Sequence, residues 1–336
     1  MGLALTALEP PDTSGYDTSV KSLDELIGES PPIQALRATV QRFLERQRDA
    51  RRIPSVLLLG ETGTGKSLLA KLMHRGSPRA EAPFIDVNCA AIPDALMEAE
   101  LFGFERGAFT DARQAKAGLF QAAHHGTIFL DEIALLNEGL QGKLLKILDE
   151  RVVRRLGSTR SEPVDVWVIA ATSEDLLNKT RDGGFREDLY HRLAVITLTL
   201  PPLRTRGGDI VLLADTLLKA ACVDYGLPPK SLGADARRAV TQYAWPGNVR
   251  ELGNAMERAA LLCEVATVAP EHLTLPTSAP PSDTITAPAP EPRASAGARR
   301  HPLGVATFDP VAGGGLCAVR RDVQPGVQPS LRDRTR

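Results

Sequence analysis

Short apolar runs alternate with longer amphipathic stretches between residues 27 and 200. The runs are rich in branched residues and end at polar or small ones, which is typical of buried strands. Strands are predicted at residues 55–59, 84–88, 127–131, 164–171 and 195–200. Helices are predicted between them, at residues 34–48, 66–74, 94–102, 140–150 and 185–191. Strands that alternate with helices indicate an α/β domain with a parallel sheet.

The pattern changes at Pro201 and Pro202. Apolar residues then recur at helical spacing through residues 207–275 with no convincing strand, which predicts a small all-helical domain. Residues 1–26 have no sustained period and are predicted to be a flexible segment. From residue 276 the chain is rich in proline, alanine and arginine, and we expect disorder. The predicted domains are residues 1–26, 27–200, 201–275 and 276–336.

Composition narrows the class of protein. The 336 residues suit one α/β domain and a smaller one, and a net charge of −1 argues against a chain that coats nucleic acid. The four cysteines are far apart, so neither a disulfide framework nor a zinc site is expected. The apolar runs are far shorter than the roughly 20 residues that cross a bilayer, and no signal peptide is evident. We therefore expect a cytoplasmic protein.

A phosphate-binding pattern, G-x-x-x-x-G-K-[ST], follows the first predicted strand and leads into a helix. This phosphate loop consists of Gly60, Glu61, Thr62, Gly63, Thr64, Gly65, Lys66 and Ser67. Glycines let backbone N–H groups surround phosphate oxygens, and the helix directs its positive end at them. Lys66 is expected to neutralise the β- and γ-phosphates of ATP, and the Ser67 hydroxyl to bind Mg²⁺. The alternative is a glycine-rich turn, which the flanking elements disfavour.

Two acids end the third predicted strand. Asp131 is expected to hold the Mg²⁺ shell, and Glu132 to polarise the attacking water. The alternative is an acidic helix start after a strand, which is a common arrangement. Because a phosphate loop precedes the pair in the chain, the two motifs together predict an ATPase.

Six further segments carry distinctive residue patterns. They are FIDVNCAAIP (84–93), ELFG (100–103), GAFTDA (107–112), FREDLYHRL (185–193), PPLR (201–204) and WPGNVREL (245–252). In this order they resemble the AAA+ domain of bacterial sigma-54-dependent transcription activators, from about residue 25 to 275. The resemblance implies a P-loop AAA+ sheet domain with a helical lid. It also implies a ring homo-oligomer, expected to be a hexamer, that hydrolyses ATP to remodel sigma-54 RNA polymerase and activate transcription.

The resemblance also implies roles for individual residues. Asn88 would hydrogen-bond to Glu132, and Thr172 and Ser173 hold the sensor-1 position. Arg186 and Arg192 would enter the ATP site of the neighbouring subunit, and Arg250 would reach phosphate from the lid. The loop that contacts sigma-54, here called the contact loop, consists of Gly107, Ala108, Phe109, Thr110, Asp111 and Ala112, with Phe109 and Thr110 making the contact.

Each role has a structural alternative. Asn88 could satisfy a backbone group at its strand end, and the ring of Phe109 could be buried. Arg186 and Arg192 could simply pair with the neighbouring Glu187 and Asp188 on the surface.

The sequence departs from the family pattern at three positions. Asp111 replaces the usual second glycine of the contact loop, which would make the loop stiffer and more negative. Ser173 replaces an asparagine and reaches less far. Ser67 stands where relatives often have glutamate, and keeps the hydroxyl ligand for Mg²⁺.

Two other local patterns carry predictions. Asn248 with Glu251 three residues later is a helix start of the capping-box type. The basic stretch at residues 151–155 could bind nucleic acid, but a second pore-side loop at residues 155–162 is the preferred interpretation.

The roughly 25 residues before the predicted ATPase are too few for a sensory domain. The segment from residue 276 lacks the two apolar helices of a helix-turn-helix, so DNA binding is not evident, and truncation or a changed reading frame is suspected. Two other functions stay open. One is a catalytically weak, nucleotide-binding regulator that joins mixed rings, and the other is an AAA+ regulator of another protein target.

Overall fold

The computed structural model describes residues 23–48, 50, 52–109 and 112–275. In chain order, its elements are α1 (Pro31–Gln47), β1 (Val56–Leu59), α2 (Lys66–Arg75), β2 (Phe84–Asn88), α3 (Asp94–Phe102), β3 (Gly103–Phe104), β4 (Lys116–Ala117), α4 (Leu119–Ala122), β5 (Thr127–Asp131), α5 (Glu138–Glu150), β6 (Val152–Val153), β7 (Glu162–Pro163), β8 (Trp167–Thr172), α6 (Leu176–Arg181), α7 (Glu187–Leu193), β9 (Ile196–Thr199), α8 (Asp209–Asp224), β10 (Ser231–Leu232), α9 (Ala234–Gln242), α10 (Asn248–Leu262), β11 (Thr267–Val268) and α11 (Pro270–Leu273).

Five strands form one parallel sheet in the order β2, β5, β8, β1 and β9. The pairing registers align the carboxyl ends of the strands. Asn88 lies beside Asp131, and Leu59 lies between Thr172 and Thr199. The predicted parallel α/β sheet is confirmed, and this carboxyl edge is where such sheets bind ligands.

Both faces of the sheet are covered, because the side chains of a strand alternate between its two faces. In β1, Leu57 packs into the core on one face, while Val56 and Leu58 pack into the core on the other. In β5, Leu130 and Phe129 divide in the same way. Burial on both sides explains why these strands are continuous apolar runs in the sequence.

The packed part of the chain begins earlier than predicted. Leu23 and Leu26 are only 2% and 5% exposed, and both lie in the core beside α1. The predicted end of the flexible segment at residue 26 is therefore wrong, because these two leucines fill apolar space next to α1. Residues 1–22 and the predicted tail at 276–336 lie outside the described residues.

Residues after β9 form a helical lid built on α8 and α10, with a core of its own. Trp245 is fully buried there, and its Nε1 donates to the carbonyl of Val240 at 2.7 Å. A helical domain is confirmed, but the absence of strands is wrong, since β10 and β11 pair in parallel. Two residues per strand are too few for a strand period to show in the sequence.

Two short antiparallel pairs, β3 with β4 and β6 with β7, were also missed from the sequence. The first flanks the contact loop, and the second flanks the predicted second loop. Phe104 bridges to Leu156, and Glu105 N–H donates to the Leu156 carbonyl at 2.9 Å, which joins the two hairpins. The two loops therefore share one support.

The cysteines in the described part of the chain, Cys89, Cys222 and Cys263, are free and buried. No disulfide joins these three residues, and Cys317 lies outside the described residues. None of the described helices has the length and apolar character needed to cross a membrane.

Candidate nucleotide site

The phosphate loop connects the carboxyl end of β1 to the first turn of α2. Gly63 and Gly65 have φ angles of +80° and +106°, a region that glycine enters without steric cost. Gly65 immediately precedes α2, so the first helical N–H groups face the same space as the loop. Ser67 is the second residue of that helix, and its position was predicted correctly relative to the strand and helix.

Lys66 is 6% exposed and folds back over its own loop. Its Nζ donates to the carbonyls of Gly60 at 2.8 Å and Glu61 at 3.2 Å. Burial lowers the pKa of the Lys66 amine, whereas the two acids Asp131 and Glu132 oppose that shift. The amine thus donates to two neutral carbonyl oxygens. A charged phosphate oxygen could take the place of either carbonyl and would form a stronger hydrogen bond.

Asp131 and Glu132 lie at the end of β5, facing the loop. Burial and the neighbouring Glu132 raise the pKa of the Asp131 carboxyl, and Lys66 opposes the rise. Glu132 has a φ of +52°, uncommon for a residue with a side chain, which directs it out of the strand path. At the sheet edge, the negative charges of Asp131 and Glu132 therefore interact with the positive charge of Lys66.

The carboxylate of Glu132 is held by Ser173 and not by Asn88. Ser173 Oγ donates to it at 3.0 Å, and the Ser173 backbone N–H donates at 3.2 Å. Asn88 Oδ1 instead accepts the Ala90 N–H at 2.9 Å, and no hydrogen bond among the described residues joins Asn88 to Glu132. The expected Asn88 contact is therefore wrong for this structure. The side chain turns back to its own strand end, as the structural alternative anticipated.

Thr172, the other residue predicted for the sensor-1 position, has a local structural role. Thr172 is fully buried at the end of β8, and its Oγ1 accepts the backbone N–H of Glu174 at 3.0 Å. It fixes the turn that presents Ser173 to Glu132.

A cleft of about 450 Å³ joins these groups. Its walls come from the phosphate loop, the ends of β2 and β5, and the start of α10. The lining residues are Thr62, Gly63, Gly65, Lys66, Ser67, Leu68, Asn88, Ala90, Asp131, Glu132, Val249 and Arg250. The cleft thus brings predicted residues from four separate segments of the chain into one space.

The oxygen donors of this cleft suit Mg²⁺. Ser67 and Asp131 supply a hydroxyl and a carboxylate, and Mg²⁺ usually takes one or two protein carboxylates together with phosphate oxygens. No group of three or more His, Cys, Asp or Glu side chains in the described part of the chain could hold a metal by itself. The residues therefore fit a metal that binds together with a nucleotide.

Arg186 and Arg192 do not line this cleft. Arg186 makes a two-point ion pair with Asp188, at 2.7 and 3.0 Å, and Arg192 pairs with Asp149 at the end of α5. The pairing with Asp188 was the structural alternative, whereas the partner of Arg192 was not expected. Both side chains are largely exposed and can be reached by another molecule.

The contact loop is described at four of its six residues, because Thr110 and Asp111 lie outside the described residues. Phe109 is 43% exposed, and its ring packs on that of Phe104 with centroids 4.8 Å apart. Ala108 lies against Gly157 of the second loop. Phe109 is therefore neither fully buried nor free, but an exposed ring with one side supported.

Asn248 differs from its predicted role. It is fully buried with a φ of +52°, and its Oδ1 accepts the Leu203 N–H at 2.8 Å. Gly247 precedes the helix, and its N–H donates to Glu251 at 2.8 Å, whereas the Asn248 N–H donates to the Trp245 carbonyl. Neither bond of the predicted capping box between Asn248 and Glu251 forms. The helix begins at Asn248 as predicted, but the Asn248 side chain does not cap it, because its Oδ1 accepts the Leu203 N–H instead.

Two side chains of the site were missed by sequence reasoning. Asn248 Nδ2 donates to the Thr62 carbonyl at 3.0 Å and to Glu61 at 3.1 Å. Arg204 binds the Glu61 carboxylate at two points, 2.6 and 2.8 Å. Hydrogen bonds from Arg204, and then from Asn248, lower the pKa of Glu61 to about 2. The opposite charges were visible in the sequence, but no spacing rule connects residues so far apart.

This sheet order, a phosphate loop at the end of β1 and a helical lid define a P-loop domain of the AAA+ type. The AAA+ ATPase lid domain family matches residues 204–288, and the sigma-54 interaction domain family matches residues 26–199. The chain belongs to the sigma-54 interaction domain family, and its relatives are sigma-54-dependent transcriptional activators. The resemblance inferred from the sequence motifs is confirmed.

Individual relatives agree with this assignment. The chain is 46% identical to the response regulator protein PilR of Pseudomonas aeruginosa over 81% of its own length and 60% of that protein. It is 45% identical to the sigma54-dependent transcriptional activator SfnR of Pseudomonas putida, over 81% of the chain and 72% of the relative. The structure of NtrX from Brucella abortus in complex with ATP matches with a TM-score of 0.68 and 34% identity, over 79% of this chain and 59% of NtrX.

Proposed function

We propose that this protein hydrolyses ATP and uses the energy to remodel sigma-54 RNA polymerase, which activates transcription in the cytoplasm. The observation that carries the proposal is the cleft, in which Lys66, Ser67, Asp131 and Glu132 converge at one sheet edge. An exposed aromatic residue, Phe109, lies on a separate loop of the same domain. The family of the chain supports both halves of the proposal.

The residues of the cleft divide the chemistry among them. Backbone N–H groups of the loop and the amine of Lys66 bind phosphate oxygens, and Arg250 adds charge from the lid. Ser67 and Asp131 are the proposed Mg²⁺ ligands, and the ion supplies charge neutralisation on the phosphates when bound. Glu132 orients a water molecule and accepts its proton, and Ser173 fixes the position of the Glu132 carboxylate.

A second subunit would complete the site. Arg186 and Arg192 lie outside their own cleft, are exposed, and are tied to carboxylates by ion pairs that cost little to exchange. A guanidinium stabilises charge on the transferring phosphoryl group when it enters from a neighbour. We therefore propose a ring of identical subunits, with six as the expected number.

The contact loop is the proposed site for sigma-54. Its aromatic ring is supported by Phe104 on one side and open on the other, so it can enter a pocket of a partner without first leaving a core. The neighbouring hairpin at β6 and β7 braces the same loop through Leu156. Movement of either hairpin would therefore move Phe109.

ATP turnover by the purified, assembled protein tests the first half. Glu132→Gln should lower kcat by about a hundredfold or more, because the general base is lost, while ATP binding is kept. Glu174→Gln, which changes an exposed acid on the same side of the sheet, serves as the matched control. Binding without turnover in the wild-type ring would contradict hydrolysis and support a nucleotide-binding subunit of mixed rings.

Capture of sigma-54 tests the second half. The assembled protein, with ATP and a phosphoryl transition-state mimic such as aluminium fluoride, should elute together with purified sigma-54. ADP alone is the control and should give no complex. Active hydrolysis with no sigma-54 complex would instead support an AAA+ regulator of another protein target.

A further inference from the structure

The outer side of the phosphate loop is bound by the lid. Val249 N–H donates to the Gly63 carbonyl at 3.0 Å, and Asn248 Nδ2 donates to the Thr62 carbonyl at 3.0 Å. A Cβ on Gly63 would lie 2.2 Å from the Gly247 carbonyl oxygen, so the two backbones touch. The lid therefore contacts two successive peptide groups of the loop.

These contacts fix how the loop peptides face. A trans peptide directs its C=O and the next N–H to opposite sides. Because the carbonyls of Thr62 and Gly63 are held by the lid, the N–H groups of Gly63 and Thr64 must point away from it. One side of the loop is thus bound by the lid. On the other side, the Thr64 N–H donates to the Glu61 carbonyl at 3.3 Å, and the Gly63 N–H faces away from the lid.

The Glu61 side chain adds a third contact to the same junction. Its carboxylate accepts hydrogen bonds from the guanidinium of Arg204, which precedes the lid helices. It also accepts a hydrogen bond from Asn248 Nδ2. Asn248 is fully buried, and its amide group satisfies Leu203, Thr62 and Glu61 at once. Asn248 makes these contacts from a backbone with a φ of +52°, in the left-handed region that asparagine tolerates better than most residues.

We propose that Asn248, together with the Glu61–Arg204 pair, forms a latch through which the lid sets the conformation of the phosphate loop. Asn248 and Arg204 are then positioning residues for the ATP phosphates, although neither touches them. The inference rests on the proposed function, since it takes ATP as the occupant of the cleft. Arg250 follows Asn248 by two residues in the same turn, so any lid movement that shifts Arg250 also moves the latch.

Asn248→Asp tests the latch with minimal change of shape. The aspartate keeps the acceptor for Leu203 N–H, loses the donors to Thr62 and Glu61, and places two carboxylates side by side. We expect the Kd for ATP, measured by calorimetry, to rise by about tenfold or more. Adding Glu61→Gln removes the facing carboxylate and supplies an amide donor to the new acid. The double variant should recover part of the lost affinity, but not all of it, because Arg204 then lacks its carboxylate partner.

Arg204→Gln is the second variant, and it does not alter the buried amide. Losing the two-point grip on Glu61 should weaken ATP binding by about threefold, since the pair is half exposed. Arg237→Gln is the matched control, because Arg237 makes a similar two-point pair with Asp215, at 2.8 and 3.0 Å, within the lid. It should leave the Kd for ATP unchanged.

The outcomes separate the latch from the proposed function. ATP affinity does not depend on turnover, so a wild-type protein that binds ATP without hydrolysing it contradicts only the proposed function. If Asn248→Asp and Arg204→Gln fold, as judged by Tm, and bind ATP like the wild type, the latch is overturned. If Asn248→Asp does not fold, Arg204→Gln against Arg237→Gln decides the question. Recovery by Glu61→Gln would also exclude a purely structural defect at Asn248.

Discussion

Ser173 holds the Glu132 carboxylate through both its hydroxyl and its backbone N–H. The restraint on the proposed general base therefore comes from the end of β8, beside β5 in the sheet. A serine can make this contact because its short side chain leaves the backbone N–H of the same residue within reach of the carboxylate.

Ser173→Ala should lower kcat by about tenfold, because hydrogen bonds to charged groups are among the stronger ones and only the backbone donor remains. The KM for ATP should change little, since Ser173 does not line the cleft. Steady-state ATPase rates check this, with Ser158→Ala on the second loop as the control. A rise in kcat would mean that Ser173 restrains Glu132 in an inactive position.

Arg186, which immediately precedes α7, and Arg192, which lies within it, should act across a subunit boundary. Arg186→Ala should lower ring ATPase by about a thousandfold, as expected for an arginine supplied to a phosphoryl group. Mixed in equal amounts with Glu132→Gln, it should recover about a quarter of the wild-type rate, because one interface in four then has both intact parts. No recovery in demonstrably mixed rings would argue that Arg186 acts within its own subunit.

Phe109→Ala should separate the two activities. We expect ATPase to stay within about twofold of wild type, since the ring lies on a loop outside the cleft, while sigma-54 capture is lost with a hot-spot aromatic. Val223→Ala removes a 72% exposed side chain at the end of α8 and is the control. Capture that survives Phe109→Ala would assign the contact to other residues.

Asp209 and Arg206 form an ion pair in which both side chains are only 3% exposed. Burial favours a higher pKa for Asp209, but hydrogen bonds from Ser30 and Glu29, together with Arg206, hold its pKa below the ordinary value. Asp209→Asn should lower the free energy of unfolding by about 3 kcal/mol, since it leaves the Arg206 charge buried without its partner.

The pH dependence of that loss follows from the sign of the shift. Because the pKa of Asp209 is lower in the folded protein than in the unfolded chain, its ionised carboxylate stabilises the fold at pH values above the unfolded-chain pKa of about 3.9. This stabilisation is lost as the pH falls through the pKa of Asp209 in the folded protein. The difference between wild type and Asp209→Asn, from urea unfolding, should be constant above about pH 5 and shrink below about pH 4. The exposed-pair control, Asp235→Asn, should change stability by less than about 0.5 kcal/mol at any pH. An equal loss at pH 3 and pH 7 would contradict the assignment.

Features that depend on one local segment were predictable. The phosphate loop and the acids at the end of β5 carry their chemistry within a few residues, and the strand period fixes where they emerge. Side-chain partners between distant segments were not predictable. Asn248 looked like a helix cap from its neighbours, and Asn88 looked like a partner of Glu132. Which amide reaches which acceptor depends on how the lid packs on the sheet, and no local pattern records that packing.

Asp209 accepts hydrogen bonds from the backbone N–H groups of Glu29 and Ser30, which are 180 and 179 positions earlier in the chain. The point where the chain enters the α/β domain is therefore fastened to the point where it leaves for the lid. A force applied ahead of Leu23 would first load Leu23 and Leu26, which pack beside α1, and would then reach α8 through this junction. Residues 23–30 are therefore mechanically coupled to the lid, and the lid helix α10 lines the cleft with Val249 and Arg250.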